Sequence, residues 1–414
     1  MNLRIYKEEA LVGELFTSDK GICFQYSEGY LNSEAYPLSL SLPLQTEAHP
    51  QKVALPFFEG LLPEGNQRQE LSNILQVSPT STMKLLRALA GECVGNLIIL
   101  DEDMQITSAL SEASYSPLSN DELEALLRPR SIERARFMVR RRLSLAGAQA
   151  KLGLFWEDGT WYATNGLAPT SHIIKPASEF DPTLLINEYV MMQLASSCGI
   201  DTPRTSMIRS GAHYGFVVER FDRLRVDTRI KRIGQEDFCQ ALSVMPVSKY
   251  ENDGGPGFRE LFNTTLLHTS RPVLETQKLL RLVLFNYLTG NCDAHAKNFS
   301  LLQNPENGML SLAPAYDLIC TTFYGERLES SMAMRIGEHS RIDRITKDDF
   351  ALFSEEAGIN FKAIARELHL LRESITGQID EITQRIAQET PDFLPDARNL
   401  REHILSELDT RLAL

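Results

Sequence analysis

The side chains in this sequence best suited to chemistry are Asp293, Asn298 and Asp317. The first two stand in Asn291-Cys292-Asp293-Ala294-His295-Ala296-Lys297-Asn298-Phe299, and the third in Tyr316-Asp317-Leu318. Phosphoryl transfer needs a carboxylate beside the attacking hydroxyl and oxygen ligands that hold Mg2+ against a triphosphate. These residue types meet that need. An Asp-x4-Asn alone is common and often only caps a loop, so the case rests on what brings Asp317 to it. Phe299–Gln303 and Met309–Ala313 have strand-like patterns around the turn Asn304-Pro305-Glu306-Asn307-Gly308. A hairpin centred near Glu306 sets Asn298 opposite Pro314, with Asp317 just past the same end. Asp293 and His295 could also ligate a transition metal, as in a metal hydrolase. A third ligand at a recognisable spacing is missing, and His295 reads as a residue that orients the loop.

Three further segments have the residue types of a nucleotide site. Leu143-Ser144-Leu145-Ala146-Gly147-Ala148-Gln149-Ala150-Lys151 places small side chains ahead of a strand, which lets backbone N–H groups approach phosphate oxygens. It has neither GxGxxG nor the Walker pattern, and a tight turn feeding a strand is the plainer reading. If the loop covers a triphosphate, Ser144 lies near the γ-phosphate and can itself accept a phosphoryl group. Lys175 ends the strand His172–Lys175, and Glu188 lies in the helix that follows. A buried lysine needs an anion, which a triphosphate or Glu188 supplies; an exposed strand-end lysine is the alternative. Finally, Val217–Phe221 suits a hinge whose backbone pairs with an adenine edge, although by pattern alone it is a core strand.

The elements that must hold these residues divide the chain in two. Leu3–Tyr6, Leu11–Phe16 and Ile22–Tyr26 are short strands, and helical spacing at Leu55–Leu62 and Met83–Leu89 leads to a strand at Asn96–Leu100. Asp101–Asn120 is polar, contains Pro117 and reads as a connector. Lys151–Trp156 and Trp161–Ala163 pair across Glu157-Asp158-Gly159-Thr160, and Asp181-Pro182 supplies an N-cap and a first-turn proline to a helix. Thr276–Thr289 is apolar on nearly every side, so it is buried, with Gly290 and Asn291 as its stop. From Asp348 onward the pattern is amphipathic helix. A sheet-containing first part therefore precedes a helical second part.

The formal charge of −13 opposes any general coating of nucleic acid. The dense basic run Arg128, Arg130, Arg134, Arg136, Arg140, Arg141 and Arg142 is read as a solvated helix face rather than a phosphate site. Six scattered cysteines form no CxxC pair and are expected as reduced core thiols. No stretch of eighteen apolar residues occurs and the start lacks an apolar signal core, so a cytoplasmic location and no membrane partner are expected.

Taken together, these segments resemble the HipA-type toxin kinases, the catalytic members of bacterial toxin–antitoxin pairs. The resemblance runs from about Pro43 to Asp317. It is carried by Phe57–Gly65, Ser144–Lys151, His172–Lys175, Asn187-Glu188-Tyr189, Val218–Arg223, Gln235-Glu236-Asp237, Asp293–Asn298 and Tyr316-Asp317. It implies an α+β, two-lobed protein-kinase-like fold: a mixed N-terminal lobe with an extra N-terminal subdomain, and an all-α C-terminal lobe. The corresponding segments are 1–110, 111–245 and 246–414. It implies ATP and Mg2+ as cofactors, Asp293 as catalytic base, Asn298 and Asp317 as metal ligands, and Lys175 on the phosphates. Glu219 and Phe221 match the adenine hinge, while Ser144, Ala146, Gly147, Gln235, His295 and Tyr316 are expected at the nucleotide. Ser144 matches the family's autophosphorylated loop serine, whose phosphorylation moves the loop out of the pocket. The family's protein substrates include glutamyl-tRNA synthetase and related tRNA synthetases. Its usual partner is a small helix-turn-helix antitoxin, through which DNA is reached only indirectly. Competing readings are a small-molecule kinase and a nucleotide-binding pseudoenzyme that regulates transcription with its antitoxin.

Overall fold

The computed structural model describes residues 1–178, 181–227, 229–328 and 330–411. These form two compact units, Met1–Glu179 with Ile208–Pro246 and Leu302–Gly308, and Phe180–Met207 with Val247–Leu301 and Met309–Leu414.

The first unit begins with strands β1 (Asn2–Lys7), β2 (Ala10–Ser18) and β3 (Gly21–Tyr26), joined by β4 (Leu97–Asp101) in the order β3-β2-β1-β4. Apolar residues line both faces of this sheet. Leu3, Ile5 and Ile99 enter the main core, whereas Tyr6, Ile98 and Leu100 form a second cluster with Ile106, Ala109 and Leu167. That second face explains a departure from the sequence reading. Asp101–Asn120 is not a plain connector: it holds the helix Ile106–Ser111, which covers Ile98 and Leu100, and then β5 (Ser114–Pro117). The other strands are β6 (Leu152–Glu157), β7 (Thr160–Asn165), β8 (His172–Pro176), β9 (Thr205–Ser210) and β10 (His213–Glu219), in the order β5-β7-β6-β8-β10-β9. Pro117 is tolerated because β5 is an edge strand. Phe57, Phe58, Leu86, Phe137, Leu143, Leu152, Ile174 and Val217 lie in one core with the first sheet. A ribbon, β11 (Arg223–Val226) and β12 (Arg229–Arg232), follows β10.

The arginine run is partly structural. Arg134 is buried, and its guanidinium donates to the carbonyls of Leu126, Arg128 and Pro129 at 2.8–3.0 Å, satisfying the end of the preceding helix Asn120–Leu127. Arg142 ends the helix Ile132–Arg141 in a left-handed conformation and donates to the carbonyls of Arg87 and Ile99. Arg128, Arg136 and Arg140 remain exposed, as a solvated face requires.

In the second unit, the helices Thr183–Ser197, Pro272–Thr289, Phe361–Glu389 and Leu394–Thr410 pack together. The helix expected from Thr276 starts at Pro272, where a proline at the first turn loses no hydrogen bond. The helix expected after Asp181-Pro182 starts at Thr183, one residue later than read, with Pro182 at the N-cap position; Asp181 Oδ1 still accepts from Thr183 N at 3.0 Å. The region is mainly helical but not all-α, since Ser331–Ile336 and His339–Arg341 form a hairpin. Asp349, on the helix Lys347–Ala357, holds that hairpin: Oδ1 accepts from Glu338 N and His339 Nδ1, and Oδ2 from Thr346 N and Oγ1. Burial by itself would raise its pKa, but hydrogen bonds led by Thr346 and His339 hold it at about 2. A depressed carboxylate stabilises above its ordinary value near 3.8 and loses that contribution as pH falls. Asp349→Ala should therefore cost about 1–2 kcal/mol at neutral pH, the range of a lost cap. Thermal unfolding should show a constant difference from wild type above about pH 4 that vanishes toward pH 2; a difference independent of pH would contradict it.

Among the described residues, all six cysteines are free and buried, and no helix is long and apolar enough to cross a membrane.

Candidate active site

In the second unit the buried helix Pro272–Thr289 stops at Gly290, which takes the left-handed φ of 73°. A Cβ there would stand 2.2 Å from Thr322 Oγ1, so glycine allows residues 321–322 to approach the helix end. Thr321 uses the space: its N and Oγ1 donate to Gly290 O at 2.9 and 3.0 Å, and Oγ1 accepts from Cys292 N at 2.9 Å. Asn187 clamps the neighbouring Cys320 backbone, accepting from its N at 2.8 Å and donating to its O at 3.0 Å. The segment after Asp317 is thereby tied to the start of the Asp293 loop.

The loop closes on itself through its main chain. Asp293 N donates to Asn291 Oδ1 at 3.2 Å, His295 N to Asp293 O at 2.8 Å, and Asn298 N to His295 O at 2.8 Å. Asn298 Nδ2 donates to Asp293 O at 3.0 Å. With its amide N–H so engaged, Asn298 directs Oδ1 elsewhere as an oxygen donor. Tyr250 donates its hydroxyl to Asp293 Oδ1 at 2.7 Å, and its ring meets His295 edge-on at 5.2 Å. His295, 6% exposed, thus packs against the residue that orients the carboxylate. Burial pushes the neighbouring Cys292 thiol up to about 11, so it is no thiolate nucleophile at neutral pH.

The hairpin is present as Ser300–Gln303 and Leu310–Leu312. Ala313 N donates to Ser300 O at 2.8 Å, which sets Asn298 opposite Ala315, one residue along from the register centred on Glu306. Tyr316 spans the open end: its hydroxyl donates to Lys297 O at 2.7 Å and lies 2.5 Å from Ser300 Oγ. Asp317 follows it with φ 59°. This left-handed conformation is uncommon for a residue with a side chain and persists where its surroundings impose it. Asp293, His295 and Asn298 are thus gathered in one loop, which Tyr316, the residue before Asp317, meets through Lys297 O.

The first unit carries the other candidate residues. Ser144 is fully buried, its hydroxyl donating to Leu61 O at 2.7 Å and its N to Glu92 O at 2.9 Å. Gly147 has φ 102°, and a Cβ there would lie 2.7 Å from Lys151 Nζ, which donates to Ala146 O at 2.7 Å. Gly147 O accepts from Glu64 N at 3.0 Å. Lys175 is 6% exposed on β8, opposite Phe216 of β10, while Glu188 is 4% exposed on the second unit's helix Thr183–Ser197. Glu219 closes β10 opposite His172, and is exposed; Phe221 is half-buried. Between and after them, Arg220 and Asp222 form a buried bidentate pair, Nε to Oδ1 at 2.9 Å and Nη2 to Oδ2 at 2.7 Å. Asp222 Oδ2 also accepts from Gly95 N at 2.7 Å, and the Gln235 backbone lies against Gly95.

Sequence reasoning missed Tyr250, Thr321 and Glu92. Each is distant in the chain from the residue it holds, and no local spacing marks it.

The HipA N-terminal domain family matches residues 3–100, and the HipA-like C-terminal domain family matches residues 143–390. A Sinorhizobium fredii protein named as a candidate kinase, Y4mE, is 37% identical over 412 residues, covering 96% of this chain and 94% of its own. The chain belongs to the HipA family. This HipA-family chain is also 28% identical over 398 residues to the serine/threonine-protein kinase toxin HipA of Shewanella oneidensis, across 92% of this chain and 89% of that one. Its fold matches HipA from Shewanella oneidensis MR-1, solved in a complex with HipB and operator DNA, with a TM-score of 0.85 and 26% identity over 98% and 96% of the two chains. The α+β, kinase-type architecture expected from sequence is the HipA fold, and its mainly helical region here contains the hairpin Ser331–Ile336 with His339–Arg341.

Proposed function

We propose that this HipA-family chain is an ATP- and Mg2+-dependent serine/threonine protein kinase and the toxin of a toxin–antitoxin pair. The observation that carries this reading is the closed loop 291–298, in which main-chain bonds fix Asp293 and Asn298 while Tyr250 aims the carboxylate. Asp293 accepts the proton of an attacking Ser or Thr hydroxyl. Tyr250, by donating to Oδ1, orients the carboxylate for that role. Asn298 Oδ1 and the Asp317 carboxylate are oxygen donors of the kind a hard divalent cation takes, the remaining ligands being phosphate oxygens and water. When bound, Mg2+ neutralises charge developing on the transferred phosphoryl group. Lys175, Glu219, Phe221 and Gln235 bind the nucleotide, Lys175 as a point charge on its phosphates. His295 and Tyr316 keep the loop and its metal donors in place. The functional segments are 1–110, 111–245 and 246–414.

Ser144 is the proposed site of self-phosphorylation. Its hydroxyl is buried on Leu61 O, so transfer requires the Leu143–Lys151 loop to leave its present place. Roughly two added negative charges then keep it from returning to a triphosphate. By likeness to the relative solved with HipB and operator DNA, we propose a small helix-turn-helix antitoxin as partner, DNA being reached through it. The proposed targets are translation proteins of the aminoacyl-tRNA synthetase kind, in the cytoplasm.

Asp317→Ala is expected to weaken ATP binding at least about tenfold in Mg2+, with no change in EDTA, because a metal carboxylate ligand is lost. Calorimetric titration with and without Mg2+ decides this; undiminished magnesium dependence removes Asp317 from its role. Phosphoproteomics of cells expressing wild type against Asp293→Asn reports target and self-modification together, and identical phosphoproteomes would sink the kinase reading.

A further inference from the structure

Glu92 lies between the helix Thr82–Leu89 and β4, far in sequence from every candidate site residue. It is 1% exposed, and both its backbone and its side chain are saturated with contacts. On the backbone, Gly91 N and Glu92 N donate to Arg142 O at 3.1 and 3.0 Å, and Ser144 N donates to Glu92 O at 2.9 Å. This is a parallel bridge to Leu143, the first residue of the small-residue loop. On the side chain, Oε1 accepts from Thr170 N and Oγ1, both at 3.0 Å, and from Arg223 Nη2 at 2.8 Å, with Arg220 Nη1 at 3.4 Å. Oε2 accepts from Arg232 Nε and Nη2 at 2.9 and 2.6 Å. The next residue continues the grip, since Cys93 O accepts from Arg220 Nη2 and Arg223 Nη2, both at 2.8 Å.

The arginines held in this way bracket the hinge. Arg220 stands between Glu219 and Phe221, and alternation along extended backbone turns those two side chains away from the buried cluster. Arg223 and Arg232 face each other at the base of the β11–β12 ribbon. A single residue therefore grips the loop that carries Ser144 with its carbonyl and the segment that carries Glu219 and Phe221 with its carboxylate. Buried ion networks are not required for stability alone, because well-packed apolar groups serve as well or better, and fixing register is their best-attested use.

We propose that Glu92 is a positioning residue that couples the phosphate-side loop at Ser144 to the adenine hinge at Glu219–Phe221, so that neither takes its nucleotide-binding place without the other. The inference rests on the kinase reading above. Withdrawal of the Ser144 loop breaks the Ser144 N–Glu92 O bond and slackens the clamp on Arg220 and Arg223. Loss of the carboxylate charge frees the hinge and, through the shared residue, the loop.

The test is calorimetric titration of the full chain with three probes: MgATP, adenosine for the hinge side, and inorganic tripolyphosphate with Mg2+ for the phosphate side. Glu92→Gln keeps shape and removes charge. It is expected to weaken all three roughly tenfold or more at unchanged stoichiometry, and Glu92→Asp, which keeps the charge, is expected to retain more affinity. Thr170→Val, which removes the hydroxyl shared by Glu92 and Arg220, should weaken adenosine and tripolyphosphate together by a few-fold. It carries the same comparison if Glu92→Gln does not fold. Unchanged dissociation constants with a reduced binding-competent fraction would mean a purely structural role and overturn the proposal, as would a loss confined to one of the two partial probes. If wild type binds MgATP and these variants bind it equally well, the proposal falls and the kinase reading stands. If wild type binds no MgATP, the kinase reading falls and this inference with it.

Discussion

Asp293→Asn is expected to lower phosphoryl transfer by about 10²–10⁴-fold, the range assigned to a positioned general base, while leaving the fold as it is. The two halves of this expectation come from different atoms. Three loop-closing bonds at this residue use its main chain: Asp293 N to Asn291, and Asp293 O from His295 N and Asn298 Nδ2. The amide of asparagine preserves an oxygen for the Tyr250 hydroxyl at 2.7 Å. What it lacks is a lone pair basic enough to take a proton from serine or threonine. At about 1.4 kcal/mol per tenfold, the loss corresponds to roughly 3–5 kcal/mol of barrier. Transfer of label from γ-labelled ATP to the protein, measured beside the melting temperature, checks both halves. Persistent labelling in the variant removes Asp293 as the base, and a fall of many degrees in melting temperature would make the loss of activity uninterpretable as chemistry.

Glu92→Ala is expected to destabilise the first unit by about 3–5 kcal/mol, the cost of stripping one partner from a buried ionic cluster. That is a large share of the 5–15 kcal/mol that holds a typical domain. Arg220 and Arg223 would then keep Asp222, while Arg232 would lose the Glu92 carboxylate it pairs with, all at side-chain exposures of 7% or less. Burial by itself would raise the Glu92 pKa, but Arg223, Arg232 and Arg220 outweigh burial and hold the carboxyl far below its ordinary 4.5. Its contribution is therefore complete above about pH 4.5 and is lost as pH falls toward that depressed value. Denaturant unfolding should report the destabilisation, and Arg232→Met in the Glu92→Ala background should recover part of it by removing one stranded charge. A double-mutant cycle showing no coupling between the two positions would contradict the cluster's role.

Much of the candidate constellation was legible because phosphoryl transfer restricts the residue types it uses. Asp293 and Asn298 sit five positions apart directly after a buried helix whose periodicity and glycine stop are plain in the chain. The hairpin that returns Asp317 was legible from a turn-rich pentapeptide between strand-like runs, but its register was misplaced by one residue. Turn composition does not fix loop geometry to that accuracy, and it was the Ala313–Ser300 bond that settled the pairing. The Asp101–Asn120 segment was misjudged because polar composition conceals the few apolar residues, Ile106 and Ala109, that cover the far face of β4. The hairpin in the C-terminal region was missed for a similar reason, being short and held by Asp349 rather than by its own pattern.

By itself, the sequence determined the family, the helix-then-loop order of the segment that carries Asp293 and Asn298, and which residue types stand there, since all of these are local strings of residue types. Only the tertiary structure decided that Tyr250 bonds to Asp293, that Thr321 secures the loop to the helix end, that Ser144 is buried, and that Glu92 holds both the Ser144 loop and the segment 220–223. Those contacts join residues 29 to 140 positions apart. Buried charges and hydroxyls find such partners only after the apolar core has closed and water has gone, when an unmet hydrogen bond becomes costly, and no spacing along an extended chain encodes that.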